Sequence, residues 1–196
     1  LKGRYWNTKQ VKTEHTPNTP DGWFKQKDGT FASLGMTAHV ITHNVGLGDV
    51  PGTFEMEHHP NNAGHNCILT DERKAKTKYT THTVTVNTLD SYNFNDVDII
   101  KIDCEGYEFP IIKGAEQTIR NCRPIVQIEV VEAQCAKFGY TPDDMWDFFI
   151  NKIGNYGVYD FKGKRLPDNW LRIKGVMDRF FVPLELATNL FVEETS

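Results

Sequence analysis

A run of β-branched residues that ends in acids around one glycine limits the fold of this chain more than any other feature. Residues 98–108 read DIIKIDCEGYE. Ile99, Ile100 and Ile102 carry branched side chains that suit a buried, pleated surface. Asp103, Glu105 and Glu108 then crowd into the loop that must follow, and Gly106 permits a sharp passage from strand to helix. A helical period takes over at once. Phe109, Ile112, Ala115 and Ile119 form an apolar stripe along a helix expected over Tyr107–Asn121. Pro110 falls in its first turn, where a missing N–H costs little. Arg123 and Pro124 end the helix, and residues 125–130 (IVQIEV) form a second strand. Strand, helix, strand in this order predicts parallel neighbours with Asp103 and Glu129 at adjacent carboxyl ends. In an open parallel sheet that edge is where ligands bind. The alternative reading of the same acids is a solvated turn that starts a helix.

The remaining elements extend this pattern. His39–His43 and Asn44–Leu47 predict a strand and its exit, and a turn follows around Gly48–Gly52. Thr53–Glu57 and Thr80–Val86 alternate as half-buried strands do, with a polar loop from His58 to His65 between them. Thr141 is a helix cap, with Pro142 at the first position and Asp144 favourable at the positive end of the helix dipole. Met145, Phe148, Phe149 and Ile153 cover one face of that helix. Tyr156–Tyr159 and Arg179–Val182 read as a terminal strand pair. Strands alternating with helices imply an α/β sheet rather than a bundle or a sandwich. Residues 1–37 stand apart as an irregular amino-terminal segment in which Tyr5, Trp6, Trp23 and Phe24 either anchor a long loop or cover a cleft. Residues 38–196 form the domain proper.

Composition removes several classes of function. A net charge of −4 in 196 residues gives no general attraction to polyanions, and no specific nucleic-acid partner is expected. No run is long and apolar enough to span a bilayer, and no signal-peptide pattern opens the chain, so the expectation is a soluble, cytoplasmic protein. Cys67, Cys104, Cys122 and Cys135 lack the C-x-x-C spacing of a metal or redox site. Cys104 reads as a small hydrophobe beside the core. His58, His59 and His65 lie near Cys67, but adjacent rings do not converge on one ion, and no metal is predicted.

Four pieces of the chain also carry a family resemblance. They are VNTLDSY (86–92), DIIKIDCEGYE (98–108), IKGA (112–115) and RPIVQIE (123–129). In this order and spacing the chain resembles the FkbM-type methyltransferase family, and NVGLGD (44–49) with Gly52 resembles that family's preceding strand and turn. The resemblance covers roughly Val40 to Pro183. It implies a Rossmann-like class I methyltransferase sheet and methyl transfer from S-adenosylmethionine to a hydroxyl-bearing acceptor, such as a sugar or natural product. Such domains usually open with a glycine-bearing loop for the methionyl part of the cofactor and a second strand ending in an acid for the ribose. Neither pattern occurs before Val40. The resemblance therefore implies the carboxyl-terminal portion of the domain, with the complete enzyme supplying the cofactor loop.

Transfer chemistry then assigns roles to residues. A sulfonium methyl group is already electrophilic, so the protein must align an acceptor oxygen and take its proton. Asp103 is the first candidate for base and for cofactor contact, with capping of the next helix as its structural role. Glu105 is the second candidate, either as base or by orienting the acceptor hydroxyl. Gly106 allows close cofactor approach or simply the sharp turn. Glu129 is placed to hold the acceptor, while His65 and Asn66 lie on a loop that would reach over the same edge. Glu108 and Asp90 read as structural groups, one in the first turn of a helix and one tying a loop to the sheet. A nucleotide-dependent oxidoreductase would need a glycine-rich phosphate loop, which is not seen. The competing function is a noncatalytic binding or structural protein that retains part of a methyltransferase fold.

Overall fold

The structure is a computed structural model that describes residues 24–25, 31–33, 36–38, 41–61, 66–167 and 178–190. The segment read as irregular contains three short strands, β1 (Phe24–Lys25), β2 (Phe31–Ser33) and β3 (Met36–Ala38), paired antiparallel in that order. Two- and three-residue strands leave too little alternation for a period to register in the sequence.

A second sheet has the order β4-β6-β5, formed by β4 (Gly46–Leu47), β5 (Gly52–His58) and β6 (Thr80–Asn87). The strand expected over His39–His43 is corrected in its described part. Residues 41–45 are irregular, and pairing begins only at Gly46, opposite Val86. The short helix α1 (Asp71–Lys74) lies in the β5–β6 connection.

The third sheet positions the site. Its order is β7-β8-β10-β9, with β7 (Ile99–Ile102), β8 (Ile125–Glu129), β9 (Tyr156–Tyr159) and β10 (Asp178–Pro183). β7 and β8 are parallel, with Ile102 opposite Ile128. β10 runs antiparallel to both β8 and β9. Ile100, Ile102, Val126, Ile128 and Phe181 therefore share one face, and all are buried in the main core. The fold is thus mixed α/β.

Helices cover this core. The helix expected over Tyr107–Asn121 is two pieces, α2 (Glu108–Lys113) and α3 (Glu116–Cys122). The break has a tertiary cause. A side chain at Gly114 would collide with the backbone of Gly48, and Asp90 stands in as the cap of α3. Its Oδ2 accepts from Gln117 N–H at 3.0 Å, and its Oδ1 accepts from Thr118 N–H and Thr118 Oγ1–H at 2.8 Å. The short helix α4 (Glu132–Cys135) follows β8.

α5 (Pro142–Asp147) opens with the capping residues read from the sequence. Thr141 and Asp144 exchange side-chain and backbone bonds in a capping box, and Pro142 enters the first turn. The chain then widens into a π-helical turn over Phe148–Ile153 before Gly154. Phe149 stacks on Phe181 with centroids 4.1 Å apart, fixing this turn to β10. The last helix, α6 (Leu184–Leu190), places Ala187 against Tyr159 and Val182 in a smaller second cluster.

Candidate functional site

Asp103 and Glu129 meet as the two isoleucine-bearing runs predict. Ile102 faces Ile128 across parallel strands, so Asp103, one residue on, is level with Glu129. β10 enters from the other side with Asp178 opposite Glu129. Because side chains alternate along strands, register puts these three carboxylates in one row on the face opposite the main core.

The electrostatics of the row follow from this crowding. Burial, and then the neighbouring charges of Asp103, Glu105, Glu108 and Asp178, push the Glu129 carboxyl above the usual carboxylate range. Lys101 supplies partial relief on β7, with Nζ 3.7 Å from Asp103 Oδ2. Both side chains of that pair are partly open to solvent, at 40% and 23% exposure.

Glu108 organises the loop beneath this edge. It is 1% exposed, and its Oε1 accepts the N–H of Cys104 at 2.9 Å and of Gly106 at 3.0 Å. The Tyr140 hydroxyl lies 3.1 Å from Glu108 Oε2 and donates to the Gly106 carbonyl at 2.9 Å. Burial, followed by the Glu108 charge, holds the Tyr140 hydroxyl protonated far above its ordinary range, so it stays a donor. The negative charge in the helix's first turn is thus a buried brace for the 103–107 loop as well as a favourable dipole partner.

Glu105 and Gly106 bend the loop. Both have positive φ, 57° and 107°. A Cβ on Gly106 would sit 2.6 Å from the backbone oxygen of Gln134, so close packing against α4 accounts for the glycine. The amide of Gly106 is engaged by Glu108 and its carbonyl by Tyr140. Glu105 Oε2 accepts from Gln134 Nε2 at 2.7 Å. Gln134 and Tyr140 are partners that sequence reasoning missed, since nothing local in AQC or FGY points back to a loop about thirty residues earlier.

Asn66 belongs to a different neighbourhood. Its Oδ1 accepts the His59 N–H at 2.8 Å, next to the His58 end of β5. There His59 Nε2 lies 3.1 Å from Glu57, and Thr77 also bonds that buried carboxylate. His65 lies outside the described residues. Among the described residues no group of three His, Cys, Asp or Glu is arranged to hold a metal ion. No helix among them is long and apolar enough to cross a membrane.

Comparison with curated proteins and with solved structures gave no match. Comparison with protein families did. The family described as the methyltransferase FkbM domain matches residues 4–160, which includes most of the segment read as irregular, the β7–β8 edge and the whole 103–108 loop. The match covers well over half of the chain. With its acidic edge at the carboxyl ends of two parallel strands, this chain belongs to the FkbM methyltransferase domain family.

Proposed function

We propose that this protein takes part in S-adenosylmethionine-dependent methyl transfer to a hydroxyl-bearing acceptor, with the Asp103–Glu129 edge on the acceptor side. Methyl transfer itself follows from the family. The observation that supports the finer reading is the level placement of Asp103 and Glu129 on neighbouring parallel strands. The acidic row also fits the charge of the cofactor: burial, and then the neighbouring acids, raise the Glu129 carboxyl, and a sulfonium cation would offset the second of these. When bound, S-adenosylmethionine supplies an electrophilic methyl group.

The residues of the chain do the rest. Asp103, partly exposed and steadied by Lys101, orients the acceptor hydroxyl and receives its proton. Glu129 holds a second acceptor hydroxyl, and its raised proton affinity lets it donate as well as accept. Glu105 is held by Gln134 and adds its charge to this edge as a supporting acid. Glu108 and Tyr140 fix the loop that carries these groups and touch no substrate.

Transfer of labelled methyl groups from S-adenosylmethionine to a panel of hydroxyl-bearing acceptors tests the assignment. Asp103→Asn removes charge and proton capacity with almost no change of shape. It should lower turnover about 100-fold or more while leaving the melting temperature close to wild type. Glu105→Gln should give a smaller loss, expressed more in KM. Near-normal turnover of Asp103→Asn with acceptor and cofactor both saturating would remove Asp103 as the base.

A further inference from the structure

The turn that leaves β9 presents one aromatic ring and three cations whose side chains have no hydrogen-bond, ion-pair or ring partner among the described residues. Residues 158–166 form a tight hairpin. Leu166 N–H donates to the Val158 carbonyl at 2.7 Å, Tyr159 bridges Arg165, and Asp160 N–H donates to the Lys164 carbonyl at 3.0 Å. Asp160 Oδ1 also accepts the N–H groups of Lys162 and Lys164, each at 2.9 Å. Gly163 closes the loop with a φ of 78°. The tip is therefore fixed by its own backbone and by Asp160, without any help from the side chain of Phe161.

Phe161 is 69% exposed on this rigid tip. Lys162, Lys164 and Arg165 are exposed beside it, and none of them has an ion-pair partner among the described residues. Among the described residues Lys113 is paired with Asp49, Lys152 with Glu116 and Arg123 with Glu185, while Lys78 and Lys137 are exposed cations without an ion pair. The tip differs by its grouping: in a protein of net charge −4, three unpaired cations around one bare ring form a local exception.

Position gives the exception a meaning. β9 runs in the same direction as β7 and β8, because both β8 and β9 are antiparallel to β10. Tyr159 stands in register with Phe180, Gln127 and Lys101, so the tip leaves the sheet at the edge that carries Asp103 and Glu129. Three strand spacings separate β9 from β7, about 14 Å. A ligand long enough to lie along this edge touches both the tip and the acids.

We infer that the tip docks an acidic oligosaccharide, with a sugar face stacked on Phe161 and carboxylate or sulfate groups paired with Lys162, Lys164 and Arg165. This names a substrate class for the proposed methyl transfer and rests on that reading for its link to catalysis. The polarised C–H bonds of a sugar face complement the electron-rich face of a ring. Unpaired cations on a preorganised turn lose little freedom when an anion binds. A chain of hydroxyl-bearing units also carries its methyl-accepting oxygen away from its anions, toward Asp103. A lipid surface fits less well, since one ring offers little apolar area for insertion. Nucleic acid fits less well too, since three cations replace few counterions and the net charge opposes approach.

Calorimetric titration with tetragalacturonate and with a heparin tetrasaccharide, against uncharged maltotetraose, tests the assignment. At least one acidic probe should bind one per chain and weaken with salt, while maltotetraose binds at least about tenfold more weakly. Phe161→Ala and the double change Lys162→Gln with Lys164→Gln should each weaken the acidic probe about tenfold or more, with unchanged melting temperature. Binding of neither acidic probe, equal binding of maltotetraose, or unchanged binding by folded variants would overturn it. So would preferential binding to phosphatidylglycerol vesicles or to single-stranded RNA. Methyl transfer to the bound probe, measured separately, keeps the two readings apart. Binding without transfer to any acceptor counts against the catalytic reading alone. Transfer whose KM ignores Phe161→Ala counts against the docking tip alone.

Discussion

Two glycines and one tyrosine show how much a single side chain decides around the acidic loop. Gly106 combines a φ of 107° with the backbone of Gln134 where a Cβ would stand, whereas Gly139 has a φ of 72° and open space. Gly106→Ala should therefore cost about 3 kcal/mol or more, as strain and overpacking add, and Gly139→Ala only about 1 kcal/mol from backbone strain. Urea unfolding of the two variants checks the difference, and equal losses would mean that the contact with Gln134 is not the reason for Gly106. Tyr140→Phe removes the hydroxyl that donates to the Gly106 carbonyl and lies 3.1 Å from Glu108 Oε2. Leaving a buried acceptor without its donor costs about 1–3 kcal/mol, so the same titration should show a loss in that range. Glu108 itself was legible only in part. Its place in a helix's first turn is local information, but its buried partner Tyr140 lies 32 residues away and has no sequence signal pointing back.

The elements that could be read in advance are those whose causes are local. The β-branched runs of β7 and β8 and the capping box of α5 depend on neighbours within a few residues, and each stands where its pattern places it. The break between α2 and α3 does not. An unbroken apolar stripe runs through it, and the contacts made at the break, Gly48 against Gly114 and Asp90 on the α3 amides, come from earlier in the chain. The π-helical turn over Phe148–Ile153 is likewise hidden, because its aromatic face satisfies an α-helical period equally well. Asp90 gives this a measurable form. Asp90→Ala would leave the Gln117 and Thr118 amides, and the buried Thr118 hydroxyl, without their acceptor. The loss should be about 2 kcal/mol, at the upper end for a helix cap, and Thr141→Ala at α5 should cost nearer 1 kcal/mol. If hydrogen exchange in α3 were no faster in Asp90→Ala, the cap would not be what starts that helix.

Across the described fold, the topology concentrates negative charge at one edge, and that edge could be located from sequence because parallel pairing brings the ends of β7 and β8 together. Asp178 joins them only through antiparallel β10, a pairing that no local motif encodes. This concentration makes stability depend on pH in a definite direction. Burial, and then four surrounding acids, raise the Glu129 carboxyl above its unfolded value, so the folded state holds the proton more tightly than the unfolded chain. Below the ordinary glutamate range both states are protonated and no penalty exists. As pH rises from there through the raised folded value, the unfolded chain ionises first and stability falls; above that value the penalty is constant. Glu129→Gln removes the charge while keeping a polar side chain of the same size. It should raise the melting temperature modestly at pH 7, and the gain should shrink to nothing as the pH is lowered below about 4, where unfolded glutamate is itself protonated. Thermal unfolding at several pH values reads this directly. A stabilisation that persisted at low pH would trace to packing, and a destabilisation at neutral pH would show that the Glu129 charge is held by a favourable partner rather than repelled by its row.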